Sequence, residues 1–125
     1  MNILANDGIS PSGLTALIDA GHKVYTDFIE ASELESFVNE NQIDGILVRS
    51  ATKVRKDLMD ACPTLSFVGR GGVGMDNIDV EYGRNKGLAI FNTPSASSQS
   101  VAELVMGHLF SLSRSIHLSN RTMPG

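Results

Sequence analysis

Ser66-Phe67-Val68-Gly69-Arg70-Gly71-Gly72-Val73-Gly74 is a short β-prone apolar run that opens directly into a glycine loop. Gly69, Gly71 and Gly74 fit the G-x-G-x-x-G spacing that holds a dinucleotide pyrophosphate when it follows a strand and opens a helix. The rest of that context is missing. The helical stretch that follows has room for only two or three turns, and the next β-prone run ends in the neutral Asn92, where an acidic residue would hold the ribose. The segment therefore reads as the strand and loop of another kind of α/β sheet, not as a self-sufficient NAD fingerprint.

Outward from this segment, β-prone runs alternate with helical patterns, the signature of βαβ units and a parallel sheet. Candidate strands cover 2–5, 23–27, 45–48, 66–69 and 88–91; helical stretches cover 12–20, 32–41, 53–61 and 79–86. Right-handed crossovers then predict a flavodoxin-like, doubly wound parallel sheet of about five strands in the order 2-1-3-4-5. With 125 residues and 13.4 kDa, there is room for one compact domain but not for two complete ones with a cleft between them.

One element exceeds that domain. After Asn92-Thr93-Pro94, Ser100 and Glu103 have capping-box spacing and predict a long helix over 100–118, about 28 Å at the standard rise per residue. Val101, Leu104, Val105, Leu109, Leu112 and Ile116 form one apolar face, and Ala102, Met106 and Phe110 widen it. A helix apolar on more than one side has two surfaces to pack against, and a five-stranded sheet offers one. The second surface is expected on a further domain or another subunit. Glu103, His108 and Arg114 argue against a membrane span. The ending Asn120-Arg121-Thr122-Met123-Pro124-Gly125 completes no element and reads as an interrupted polypeptide.

In an open parallel sheet, ligands bind beyond the carboxyl ends of the strands, where strand order reverses. Asn6-Asp7-Gly8, Arg49-Ser50-Ala51-Thr52 and Arg70-Gly71-Gly72-Val73-Gly74 would meet there. Two arginines, hydroxyls and glycine amides on one edge suit a small anion. The competing reading makes Arg49 and Arg70 solvated charges or ion-pair partners of Asp7 or Asp76, with Ser50 and Thr52 as helix caps. A phosphoacceptor receiver domain is excluded because the third strand ends in Arg49, where that chemistry needs an aspartate. A flavodoxin lacks its flavin sandwich: there is no Trp, and Tyr25 and Tyr82 lie outside the relevant loops.

His22, His108 and His117 have neither metal-ligand spacing nor an evident carboxylate partner, so structural or surface roles are expected and no metal site is. Cys62 precedes Pro63 at a helix end and allows no internal disulfide. The net charge of −4, with ten scattered Lys and Arg, points away from nucleic acid and anionic membranes. Met1 leads straight into a strand with no secretory signal pattern, so a cytoplasmic location is expected. A binding surface without acid–base machinery emerges.

Val48-Arg49-Ser50-Ala51-Thr52-Lys53-Val54, Val68-Gly69-Arg70-Gly71-Gly72-Val73-Gly74-Met75-Asp76-Asn77-Ile78-Asp79, and Phe91-Asn92-Thr93-Pro94 with Ser100-Val101-Ala102-Glu103-Leu104 resemble the D-2-hydroxyacid dehydrogenase family, in its phosphoglycerate-oxidising branch. The resemblance spans essentially the whole chain in order. It implies a two-domain NAD enzyme that converts D-3-phosphoglycerate to 3-phosphohydroxypyruvate in serine biosynthesis. Residues 1–94 would be the substrate-binding domain; 95–125 would be the crossing segment and first helix of a truncated NAD-binding domain.

By position in those motifs, Arg49 and Arg70 would help bind the substrate phosphate, with Ser50 and Thr52 nearby. Gly71 and Gly72 would hold the carboxylate through their amides, and Val73 would lie against the nicotinamide. The 100–118 helix would contribute to a homodimer interface. The main NAD motif and all catalytic residues would lie after Gly125, so no catalytic residue is expected here and the chain alone is expected to be inactive. Two alternatives stay open: a relative acting on another D-2-hydroxy acid, and a stand-alone anion-binding regulatory module.

Overall fold

A computed structural model describes residues 1–123. The expectations for the His117 side chain and for the chain end at Pro124-Gly125 fall outside the described residues. The chain divides into two compact units, Met1–Thr93 and Pro94–Gly125.

In the first unit, β1 (Asn2–Ala5), α1 (Pro11–Asp19), β2 (Lys23–Tyr25), α2 (Ala31–Glu40), β3 (Gly45–Val48), α3 (Lys56–Ala61), β4 (Phe67–Arg70), α4 (Val80–Asn85) and β5 (Ala89–Asn92) follow one another. The five strands form one sheet in the order β2-β1-β3-β4-β5, every pair parallel, as the alternation of patterns predicts. Adjacent strands align Leu4, Ile46, Val68 and Ile90 on one face. These residues join Leu34 and Val38 of α2 and Met59 of α3 in a single buried cluster. Leu34 and Val38 are four residues apart, which places both on the inner stripe of their helix.

The opposite face carries Gly45, Phe67, Gly69 and Phe91. The glycines are needed there: a Cβ at Gly45 would lie 2.0 Å from the Phe67 ring, and one at Gly69 would lie 2.7 Å from Phe91. The two rings stack with centroids 6.1 Å apart.

Helix ends depart from the sequence reading where side chains from elsewhere intervene. Helix α3 begins at Lys56, not 53, because Val54 forms a parallel bridge with Ile78 and keeps the preceding residues extended. Asp79 then caps it from a distance: its Oδ2 accepts from Lys56 N at 2.9 Å and its Oδ1 pairs with Arg55 Nη1 at 2.8 Å. Helix α1 carries its own signals, with Pro11 at the first position and the Ser10 hydroxyl accepting from Gly13 N at 3.2 Å.

In the second unit, the single helix expected over 100–118 is two helices. Helix α5 (Ser98–Ser113) starts earlier, and Ser115, left-handed at φ 51°, separates it from α6 (Ile116–Thr122). The Ser100–Glu103 capping box does not form; the Glu103 carboxylate accepts from Gln99 Nε2 at 2.9 Å instead. Val101, Leu104, Leu109, Phe110 and Leu112 of α5 are all more than half exposed. Among the described residues, no helix is long and apolar enough to cross a membrane, and no cluster of His, Cys, Asp and Glu has the geometry of a metal site.

Candidate functional site

Parallel strands aim their carboxyl ends at one edge, so the residues just after β1, β3, β4 and β5 converge there. An open depression of about 670 Å³ at this edge is lined by Asp7, Arg49, Arg70, Gly71, Phe91 and Thr93, among others. Arg49 also borders a second depression on its other side, where Ser50 lies with Thr26 and Phe28.

Among the described residues, neither Arg49 nor Arg70 pairs with a carboxylate, so the ion pairs with Asp7 or Asp76 weighed from the sequence do not form. The Arg49 side chain is exposed and makes no hydrogen bond within the described residues. Arg70 is anchored instead: its Nε donates to Arg49 O at 2.9 Å and its Nη1 to Gly74 O. Arg70 is half-buried and lines the same depression, so its delocalised charge lies beside Arg49. The edge therefore offers one free cation supported by one fixed cation, an arrangement that attracts a phosphate or carboxylate.

The loop amides are less available than their glycine content suggests. Gly71 N donates to Val48 O at 2.8 Å, and Gly72 N donates to the exposed Thr93 hydroxyl at 2.9 Å. Gly72 has φ 150°, and a Cβ there would lie 2.9 Å from Arg70 Nη1, so glycine is required for Arg70 to fold over the loop. Val73 is 53% exposed, and Asn92 Nδ2 donates to its carbonyl at 2.6 Å. The first helix after the loop starts only at Val80, so no helix N-terminus points at the glycines.

Thr52, placed near the phosphate by the sequence reading, is turned inward. It is 6% exposed; its hydroxyl donates to Asp7 Oδ1 and accepts from Asn6 Nδ2 at 2.8 Å. These bonds tie the Arg49 loop to β1 and the residues that follow it. Sequence reading also missed Asn77, whose Nδ2 donates to Arg49 O at 3.1 Å and Thr52 O at 2.6 Å, tying the Arg49 loop to the glycine loop.

Burial pushes the Asp7 carboxyl up, but donation from the Thr52 hydroxyl and from the amides of Thr52, Arg49 and Ala51 outweighs it and holds the group below its ordinary 3.8. Asp79, bound by Arg55 and by the Lys56 amide, is lowered too, as is Asp60, bound by Lys56, Lys86 and Tyr82. The unfolded chain therefore takes up protons before the folded one on acidification. Melting temperature is expected to hold steady down to about pH 5 and to fall below about pH 4, where free carboxylates titrate. A flat profile to about pH 3 would show that these carboxylates do not stabilise the fold. Burial pushes the Cys62 thiol up to about 11, which leaves it unreactive near neutrality.

A family model described as "D-isomer specific 2-hydroxyacid dehydrogenase, catalytic domain" matches residues 3–120. The chain belongs to this family. Within it, the chain is 43% identical over 101 residues to hydroxypyruvate reductase of Thermotoga maritima, covering 81% of this chain and 32% of that protein. It is 38% identical over 121 residues to D-3-phosphoglycerate dehydrogenase of Rattus norvegicus, covering 97% of this chain and 22% of the relative. The solved NAD+-bound 3-phosphoglycerate dehydrogenase of Entamoeba histolytica superposes with a TM-score of 0.70 at 25% identity, over 89% of this chain and 38% of that one. The chain thus spans between about a fifth and a third of the length of these curated relatives.

Proposed function

We propose that this chain is the substrate-binding part of an NAD-dependent dehydrogenase that converts D-3-phosphoglycerate to 3-phosphohydroxypyruvate, the opening step of serine biosynthesis. The observation that carries the reading is the unpaired Arg49 guanidinium beside the backbone-anchored Arg70 at the switch-point depression. D-3-Phosphoglycerate has an anion at each end and the reacting hydroxyl between them, so it needs two separated anion contacts. Arg49 takes the phosphate with Arg70 behind it and Ser50 beside it. The glycine loop takes the carboxylate, with Gly72 exchanging its exposed Thr93 hydroxyl for the ligand and Gly71 leaving room for the approach. Thr52 contributes by fixing the loop.

NAD, when bound, accepts the hydride from the substrate carbon. Of the residues present, exposed Val73 fits an apolar contact with the nicotinamide, while the neutral Asn92 and the absence of a helix N-terminus at the glycines give the pyrophosphate and ribose no seat here. Residues 1–94 are the substrate domain in this reading. Residues 95–125 open the nucleotide domain, whose remainder, with the acid–base residues, belongs to a longer polypeptide. The chain alone is then inactive. The exposed apolar residues of α5 and α6 pack against that remainder and against a second copy in a homodimer, and the protein works in the cytoplasm.

The similarity to hydroxypyruvate reductase supports a second reading, in which the substrate is a D-2-hydroxy acid without phosphate. Steady-state kinetics of the complete polypeptide with NAD separate the two. The first reading expects kcat/KM for D-3-phosphoglycerate at least a hundredfold above that for D-glycerate, about 2.8 kcal/mol at 1.4 kcal/mol per decade. Equal or reversed values establish the second.

A further inference from the structure

The loop that presents Arg49 has no regular structure of its own, yet the amides of Arg49, Ala51 and Thr52 and the carbonyls of Arg49 and Thr52 are hydrogen-bonded, and one side chain takes all three of those amides. Asp7 Oδ2 accepts from Arg49 N at 2.6 Å and Ala51 N at 3.1 Å, and both carboxylate oxygens accept from Thr52 N at 3.1 Å. The Thr52 hydroxyl donates to Oδ1 as well. On the other side of the loop, Arg70 and Asn77 take up the carbonyl of Arg49, and Asn77 that of Thr52.

We infer that Asp7 is a positioning residue of the anion site: its carboxylate gathers three amides and a hydroxyl of the Arg49–Thr52 loop and so fixes the direction in which Arg49 meets the substrate phosphate. This rests on the reading that Arg49 binds that phosphate. An aspartate beside an anion site would normally repel the ligand, but here the carboxylate is already surrounded by donors and does not approach the Arg49 guanidinium within ion-pair distance. Its charge organises the loop from within, and Ser50 stays exposed at the tip. Asparagine has the same shape but one neutral acceptor oxygen: at the Oδ2 position it accepts from the loop amides more weakly than a carboxylate does, while its Nδ2, at the Oδ1 position, faces the Thr52 amide and reverses the bond to the Thr52 hydroxyl.

The test is steady-state kinetics of the complete polypeptide with D-3-phosphoglycerate and NAD, comparing Asp7→Asn, Arg49→Ala and the double variant. Asp7→Asn is expected to raise the phosphoglycerate KM tenfold or more, with kcat within about twofold and the NAD KM unchanged. Because Asp7 acts through Arg49, the double variant should show the KM of Arg49→Ala alone; multiplication of the two effects would overturn the inference. An unchanged KM in Asp7→Asn alongside a raised KM in Arg49→Ala overturns the role of Asp7 and leaves the site intact. An unchanged KM in Arg49→Ala overturns the site, and Asp7 with it. If Asp7→Asn does not fold, Thr52→Val removes the hydroxyl's bonds to Asp7 and Asn6 and keeps the amide bonds to Asp7, and a phosphoglycerate KM raised severalfold supports the inference while an unchanged one defeats it.

Discussion

Arg49→Ala is expected to raise the KM for D-3-phosphoglycerate about a hundredfold in the complete polypeptide, close to 2.8 kcal/mol at 1.4 kcal/mol per decade. Hydrogen bonds to a charged partner contribute roughly 1.5–3 kcal/mol each, and an arginine meets a phosphate through two of them, so a hundredfold loss leaves part of the binding to Arg70 and to water. Arg49 can supply both because its guanidinium has no partner within the described residues. Its alanine variant removes an exposed side chain and leaves the loop bonds intact, since those bonds run through the Arg49 amide and carbonyl. The melting temperature should therefore stay within about a degree or two, as for most surface substitutions. Arg70→Ala should behave differently, lowering both affinity and stability, because Arg70 also holds Arg49 O and Gly74 O. Lysine at position 70 cannot substitute, since it lacks the planar fork that reaches two carbonyls at once. Substrate titrations and thermal melts of the three variants check these outcomes.

Asn6→Ala is expected to have the largest effect on stability, about 3 kcal/mol, or roughly ten degrees or more in melting temperature for a domain of this size. Asn6 is 2% exposed and makes three bonds that no other residue replaces. Its Oδ1 accepts from Ile29 N at 2.8 Å, and its Nδ2 donates to Ile29 O at 3.1 Å and to the Thr52 hydroxyl at 2.8 Å. Alanine leaves both backbone groups of the partly buried Ile29 without these partners, and unpaired groups cost about 1–3 kcal/mol each. Asn6→Asp should be nearly as harmful, because a carboxylate cannot donate to Ile29 O. Thermal denaturation followed by circular dichroism measures both, and a shift under about two degrees in Asn6→Ala would mean that water replaces the lost bonds.

The sheet order was legible because each β-prone run is followed by a helical pattern, and right-handed crossovers leave few topologies. The placement of Arg49 and Arg70 was legible for the same reason: a residue at or just after the end of a parallel strand lies at the carboxyl edge of the sheet whatever its loop does. The fate of the individual donors was not. Thr52 reads as a hydroxyl beside Arg49, yet an aspartate 45 residues away turns it inward, and no local pattern encodes that pairing. The Gly71 and Gly72 amides look free because glycine has no side chain, but Val48 and Thr93 take them. Asp7 and Asn77 read as loop polarity until the two loops are seen side by side. In the second unit, apolar residues continue through Ile116 and Leu118, so periodicity hides the break at Ser115. Its trace in the sequence is the Ser113-Arg114-Ser115 run, where two serines weaken the helix.

A crystal structure of the complete polypeptide with D-3-phosphoglycerate decides whether Arg49 holds the phosphate. A phosphate oxygen is expected about 3 Å from the Arg49 guanidinium, with the Asp7 bonds to the loop amides retained. A phosphate held elsewhere, with Arg49 still facing solvent, would contradict it.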